Sequence, residues 1–532
     1  MDIEKKVAQL IDTLCIEEKV GQLFVLAFAG EDRDYAKALV KERHIGGFYI
    51  TDDNAANPTS AAQLAHDLQH EASLRACDAP LLLAVDQEGS WGILTQYTDL
   101  GPGNLGLGKA DNTALTTDMY QVFAEQMREV GYNTLLSPCA DVNADPDNPI
   151  IGLRAFGEQS HHVARHVAAA VRGVERSGSL SCAKHFPGHG DTHSDSHQTL
   201  PVVDKSLQQL MREDLLPFKA AIESGVPLIM TSHISYPQID ADHPATLSST
   251  ILQGVLRQQL GFEGLIITDS MNMWSMRKNY APEDAAIRAL QAGANLVMLS
   301  EEHYENSTTP YKAIQAQTID GVIAAVKQGS LPESVIDARL QQVLTFKYQH
   351  FATSPSPAAS ILEGANQLAR EAAEAAIRVV RNRHQQWPLA GRPFTLAFAA
   401  DPKGYDSIVN SRGIGPNDPN SARDVILDTL AERGREYRLW QHDQLLAALQ
   451  APTEPMAEPL VLITEDYPLP GESFDVAAQQ QRVKQALQKW SDNVIVIAMR
   501  SDYEVAQYTD LSTYVCAYSS RSVSARAMAE LL

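Results

Sequence analysis

About eight short apolar runs alternate with helical patterns through roughly the first 340 residues, and this alternation restricts the fold more than any other feature. The runs are Gln22–Phe28, Gly46–Ile50, Leu81–Asp86, Thr134–Ala140, Ser181–His185, Leu228–His233, Leu265–Asp269 and Leu296–Leu299. Helical periodicity lies between them at Ala62–Ala76, Ala114–Val130, His162–Ser177, Leu207–Ser224, Ser249–Leu260 and Pro282–Ala292, and again at Tyr311–Gln328. Strand, helix, strand at spacings of roughly 30 to 50 residues means parallel βαβ units, and about eight of them predict a (β/α)₈ TIM-type barrel. A doubly wound open sheet has the same alternation and is the alternative. Polar residues favour the barrel. Asp86, Asp141, Lys184, His185, His233 and Asp269 all fall at the C-terminal ends of runs, where a barrel carries its active site.

The chain has 532 residues, too many for one ordinary core. HFATSPSPAAS, ending at Ser360, reads as a linker. A helical pattern over Ile361–Asn382 follows. New strand candidates come at Phe394–Ala399, Tyr437–Trp440, Leu460–Thr464, Asn493–Ala498 and Tyr514–Ala517. Helical patterns at Ala422–Arg433, Asp443–Leu449 and Ala477–Trp490 alternate with them. The expected organisation is a catalytic barrel over 1–350, a linker and connecting helix over 351–375, and a smaller α/β domain over 376–532, an open sheet covered on both faces.

A formal net charge of −23 repels phosphate backbones and anionic lipid, so neither nucleic acid nor a membrane is an expected partner. No stretch approaches the ~20 apolar residues of a membrane span, and no signal peptide is read at the N-terminus. Five scattered cysteines, an odd number without CxxC spacing, argue against a disulfide framework and fit a reducing cytoplasm.

The densest chemistry lies in KHFPGHGDTHSDSH, Lys184 to His197. Its histidines recur every four residues, as on a metal-binding helix face. Pro187, Gly188 and Gly190 oppose that helix, since proline costs ~3 kcal/mol and each glycine ~1. A loop is expected. A loop-built metal site and a plain polar loop both stay open on the residues alone. The closing Asp195-Ser-His197 suggests a dyad in which the carboxylate bonds one ring nitrogen and raises the basicity of the other. GLIITDSM, with Asp269 at the end of an apolar strand, and LLLAVDQEG, with Asp86, are further candidates. A helix cap is the structural reading of each.

These segments resemble glycoside hydrolase family 3, in its β-N-acetylglucosaminidase (β-hexosaminidase) branch. KHFPGHG followed after four residues by DSH matches that branch's hallmark. LGFEGLIITDSMNM resembles the nucleophile segment, and NPIIGLRAFGE, IMTSHISYPQID and PATLS resemble further family segments. The likeness is dense to about residue 350 and weaker beyond, through AREAAEAAIRVVRN and IAMRSDYEV.

The resemblance implies a barrel followed by an α/β sandwich. It also implies a retaining exo-glycosidase that removes terminal β-linked N-acetylglucosamine through a covalent glycosyl-enzyme. Asp269 would be the nucleophile, and His197, paired with Asp195, the acid/base. Asp86, Arg154, Lys184 and His185 would hold the sugar, and His233 would line the pocket. No metal or organic cofactor is implied. The expected partner is a carbohydrate containing N-acetylglucosamine, either a muropeptide in cell-wall recycling or a chitin oligosaccharide, acted on by a monomer or homodimer. One departure stands out: the family commonly continues DQEG with Gly and Arg, and this chain has Ser90-Trp91-Gly92. A phosphorylase, a metal-dependent barrel hydrolase and a non-catalytic sugar-binding homologue are the competing functions.

Overall fold

The computed structural model describes residues 3–192, 200–300, 310–351, 362–402, 417–467 and 475–532. The strands run β1 (Phe24–Leu26), β2 (Gly47–Ile50), β3 (Leu82–Val85), β4 (Thr134–Leu135), β5 (Leu180–Phe186) and β6 (Leu228–Thr231). A hairpin of β7 (Ser235–Tyr236) and β8 (Asp240–Pro244) interrupts the series, which resumes with β9 (Leu265–Ile267) and β10 (Val297–Leu299).

The large sheet has the order β10-β1-β2-β3-β4-β5-β6-β9, parallel throughout. A parallel bridge between Ile267 and Leu296 joins its two outer strands and closes it. A doubly wound sheet reverses direction at a switch point. Strictly sequential order with closure excludes it, so the fold is the expected barrel.

Strands β1, β3, β5, β6, β9 and β10 are buried along their whole length, as in a sheet with both faces covered. Helices pack around them on apolar stripes. Ser160–Ser177 buries Val163, Val167, Ala170, Val171 and Val174, the spacing of one helix face. It ends at Gly178, whose φ of 77° is the left-handed conformation glycine adopts at little cost. Additions to the sequence reading include the helix Arg33–Glu42, between β1 and β2, the β7–β8 hairpin, and the helices Gly103–Ala110 and Glu333–His350.

Helix Leu362–Ala376 leads to a second sheet. Its strands are β11 (Arg378–Asn382), β12 (Thr395–Phe398), β13 (Arg438–Trp440), β14 (Leu460–Thr464), β15 (Val494–Ala498) and β16 (Thr513–Cys516), in the order β11-β16-β15-β14-β12-β13. The helical pattern read over Ile361–Asn382 is corrected here. The helix stops at Ala376, and Arg378-Val-Val-Arg-Asn382 is an antiparallel edge strand on β16. The adjacent β-branched valines favour the extended form. Separate apolar clusters cover the two faces. Ile426, Leu430, Met528 and neighbouring side chains lie on one, and Leu445, Val483 and Leu487 on the other.

The second sheet docks on the loops that follow β3 and β4. The Tyr503 hydroxyl accepts from Asn143 Nδ2 (3.0 Å) and donates to Glu158 (2.8 Å). Gly92 N–H donates to Asn417 Oδ1 (2.9 Å), and Arg378 donates to the Lys109 carbonyl. No helix among the described residues is long and apolar enough to cross a membrane.

Candidate active site

The candidate residues gather at the C-terminal ends of the barrel strands. Lys184, on β5, projects its ammonium between Asp86 Oδ1 (2.5 Å) and Glu88 Oε1 (2.6 Å), both just past β3. Arg154 grips Glu88 through two hydrogen bonds of 2.9 Å, the paired geometry that matches guanidinium to carboxylate. Its Nη2 also lies 3.3 Å from His185 Nε2. A guanidinium only donates, so His185 Nε2 is an acceptor. The ring proton is therefore on Nδ1, where it bonds Asp141 Oδ2 at 2.7 Å. Tyr49, from β2, donates to Asp86 Oδ2 (2.7 Å). The result is a chain of alternating charge: Asp86, Lys184, Glu88, Arg154, then His185 on Asp141.

Most of this chain is buried, so each charge depends on its neighbours. Burial opposes ionising Glu88, but Arg154 and Lys184 outweigh it and hold the carboxyl well below the usual carboxylate range. Burial likewise opposes charge on Lys184, and Asp86 and Glu88 keep its pKa above that of a free lysine. Burial works against the Asp141 carboxylate, and His185 lowers its pKa all the same. Asp141 also accepts the backbone N–H of His189 at 2.7 Å. His189 is brought down to about 4, first by burial and then by His185 beside it.

Asp269 follows β9 on the same rim, half-buried, and its Oδ1 accepts the Ser270 N–H at 2.7 Å. His233, past β6, donates from Nε2 to the Ser270 carbonyl (2.9 Å), and its Nδ1 lies 2.9 Å from Thr246 Oγ1. This imidazole ties the end of β6 to the turn carrying Asp269.

The glycines of the KHFPGHG segment have a steric cause. A methyl group on Gly190 would fall inside the Val142 carbonyl, and one on Gly188 would press Asp214 at 2.9 Å. Lys184–Phe186 complete β5, and from Pro187 the segment is a loop that turns against β4's extension, as the proline and glycines require. Asn148 Nδ2 bonds the His189 carbonyl (2.9 Å) and Thr192 Oγ1 (3.2 Å). Lys205 bridges Asp191 (3.0 Å) to Asp214 (2.8 Å), so the chain is fixed on both sides of residues 193–199. His197 and Asp195 lie outside the described residues.

The structure thus brings together Asp86, Arg154, Lys184 and His185 directly, and Asp269 with His233 beside them on the rim. Sequence reasoning gave no role to Glu88, the hub of two cations, nor to Asp141, which fixes the His185 ring. Both stand at strand ends, and that position was the available signal. Within Ser90-Trp91-Gly92, Gly92 meets Asn417 of the second domain, while the Ser90 hydroxyl donates to the Leu153 carbonyl inside the barrel (2.8 Å).

Two groups of side chains among the described residues have metal-ligand spacing. Cys139, Asp141 and His185 form one, but His185 already spends both nitrogens on Asp141 and Arg154. The Arg154 guanidinium, pinned by two bonds to buried Glu88, is not positioned to move aside for a cation. Asp111, His162 and His166 form the other, outside the charged chain just described.

Comparison with known proteins agrees with the fold. The model of the glycosyl hydrolase family 3 N terminal domain matches residues 15–346. A beta-hexosaminidase A of Pseudoalteromonas piscicida is 28% identical over 518 residues, covering 90% of this chain and 83% of its own. A beta-N-acetylglucosaminidase/beta-glucosidase of Cellulomonas fimi is 26% identical over 459 residues, 83% of this chain and 77% of that one. Among solved structures, a family 3 beta-N-acetylglucosaminidase from Paenibacillus sp. str. FPU-7 superposes with a TM-score of 0.83 at 27% identity, covering 98% of this chain and 97% of that chain.

Proposed function

Since the chain belongs to glycosyl hydrolase family 3 and is a glycoside hydrolase, we propose that it removes terminal β-linked N-acetylglucosamine with retention of configuration. The observation that carries this reading is positional. Asp269 and the charged chain from Asp86 to Asp141 emerge at one end of one closed barrel, with His233 fixing the turn that carries Asp269.

In this reading the Asp269 carboxylate attacks the anomeric carbon and forms a glycosyl ester as the aglycone oxygen departs. His197, as imidazolium, gives that oxygen its proton. The neutral imidazole, oriented by Asp195, then takes a proton from water. The resulting hydroxide displaces Asp269 and releases the sugar in its β form. An unperturbed imidazole titrates near ~6.5, so one side chain serves both steps around neutral pH. Asp86, Lys184, Arg154 and His185 present fixed donors and acceptors to the sugar hydroxyls, and His233 lines the pocket. No step requires a metal or organic cofactor.

Chitin oligosaccharides and muropeptide fragments both carry the required sugar. Five unpaired cysteines, four of them buried, support a reducing, cytoplasmic setting in which the second substrate would arise during wall recycling.

The test is a panel: aryl N-acetylglucosaminide, aryl glucoside, chitobiose and a muropeptide, each with and without phosphate, with the first-formed anomer followed by proton NMR. The expected result is β-N-acetylglucosamine as the initial product, independent of phosphate. Initial α product refutes retention, and accumulation of sugar 1-phosphate would make the enzyme a phosphorylase. No turnover on any substrate would leave a sugar-binding homologue.

A further inference from the structure

Asp111, His162 and His166 offer three ligand atoms that lie within 4.8 Å of one another on the outside of the barrel. His162 and His166 stand one turn apart on helix Ser160–Ser177, so their rings share a face. Asp111 follows helix Gly103–Ala110 in the left-handed conformation, φ 52°, which turns its side chain to them. His162 Nδ1 is 3.6 Å from Asp111 Oδ1.

The His162 tautomer is already set for metal binding. The Gly108 carbonyl, 3.0 Å from His162 Nε2, can only accept, so that nitrogen carries the proton. Nδ1 then holds the lone pair, and Arg165 Nη2 donates to it at 3.1 Å. In His166, Nδ1 lies 2.8 Å from Thr116 Oγ1, while Nε2 is buried and has no hydrogen-bond partner. A buried polar atom left unsatisfied costs about 1–3 kcal/mol and calls for an explanation. Ligand imidazoles usually donate their second N–H to a carbonyl or hydroxyl partner; His162 does so to the Gly108 carbonyl, and the Thr116 hydroxyl offers His166 such a partner.

Arg165 occupies the position of the cation. Its Nη2 bridges Asp111 Oδ1 (2.9 Å) and His162 Nδ1 (3.1 Å), yet its side chain is 56% exposed and free to swing into solvent. A small rotation of the exposed Asp111 would shorten its 3.6 Å separation from His162 Nδ1 toward the roughly 3.3 Å edge set by metal–ligand distances of ~2.0–2.1 Å.

We propose that Asp111, His162 and His166 bind a divalent transition ion of the zinc class, with Arg165 as the competing internal cation. Two imidazoles and one carboxylate suit zinc, nickel or copper better than calcium or magnesium. The ion would join the end of helix Gly103–Ala110 to helix Ser160–Ser177. The former packs against the Gly152–Arg154 turn and the Leu362–Ala376 helix, so the ion would brace the strut between the two domains. It takes no part in the reaction.

The experiment is zinc titration of the full chain after chelator treatment, read by calorimetry and by melting temperature. Wild type should bind and melt higher. His162→Gln should lose both effects, and Thr116→Val should weaken binding about 10–100-fold. Arg165→Ala should tighten binding about 5-fold, the change expected when a unit charge about 4 Å away is removed under water-like screening. Binding unchanged in both His162→Gln and Arg165→Ala would place the metal elsewhere and overturn the proposal. Absence of binding in wild type and Arg165→Ala alike would overturn it equally.

Discussion

Glu88 and Asp269 show how two carboxylates on one rim come to different uses. Glu88 is buried and neutralised from two sides, whereas Asp269 is half-buried at the end of a strand. On the proposed nucleophilic role, Asp269→Ala should cost activity and not stability: turnover should fall by on the order of 10⁴-fold or more, while the melting temperature stays close to wild type. Retention of normal rate would move the nucleophile elsewhere. Glu88→Gln should do the reverse of sparing the fold. It keeps the shape but leaves Lys184 and Arg154 short of a charge in a buried setting, a loss of about 3–5 kcal/mol in chemical denaturation. The pH dependence follows from its depressed pKa. The Glu88 contribution is complete above the unfolded value near 4.5 and is lost as pH falls through the lower folded value. The gap between wild type and Glu88→Gln should thus be constant from pH 6 to 8 and narrow only in acid.

The loop that follows β5 is the element on which the acid/base assignment turns. Gly190 lies so close to the Val142 carbonyl that any side chain must push the two loops apart. Gly190→Ala should cost about 1–3 kcal/mol or more in melting experiments and lower activity along with it; an unchanged melting curve would show that the loops part freely. Sequence periodicity was sufficient for the barrel strands, because fully buried parallel strands read as short apolar runs with polar residues at their ends. It failed at Arg378–Asn382, where a helical pattern runs straight into an edge strand. Only pairing with β16, remote in sequence, decides that stretch. The candidate site was readable to a similar depth. Asp86, Lys184, His185 and Asp269 advertise themselves as charges ending apolar strands. Asp141 and Glu88 share the position, but their parts depend on which cation each meets, and Tyr49 looks like any strand aromatic until its hydroxyl is seen on Asp86.

Taken as one molecule, the protein places its second sheet over the rim loops, so part of the site is shaped by chain far away in sequence. Tyr503 is a direct link, holding Asn143, whose Oδ1 in turn accepts the Gly152 N–H beside Arg154. Tyr503→Phe should lower stability by about 1–2 kcal/mol and raise KM more than it lowers kcat; an effect on stability alone would show that the docking does not reach the sugar site. The alternation of sign from Asp86 to Asp141 has one more outcome. Although the surface is strongly anionic, opposite charges a few ångströms apart cancel one another's field beyond a short distance. A neutral sugar entering this pocket would be selected by contact and shape, with no long-range attraction to guide it. Catalytic efficiency toward uncharged substrates should accordingly hardly vary with ionic strength between about 0.01 and 1 M, a range over which the Debye length shrinks from about 30 to 3 Å.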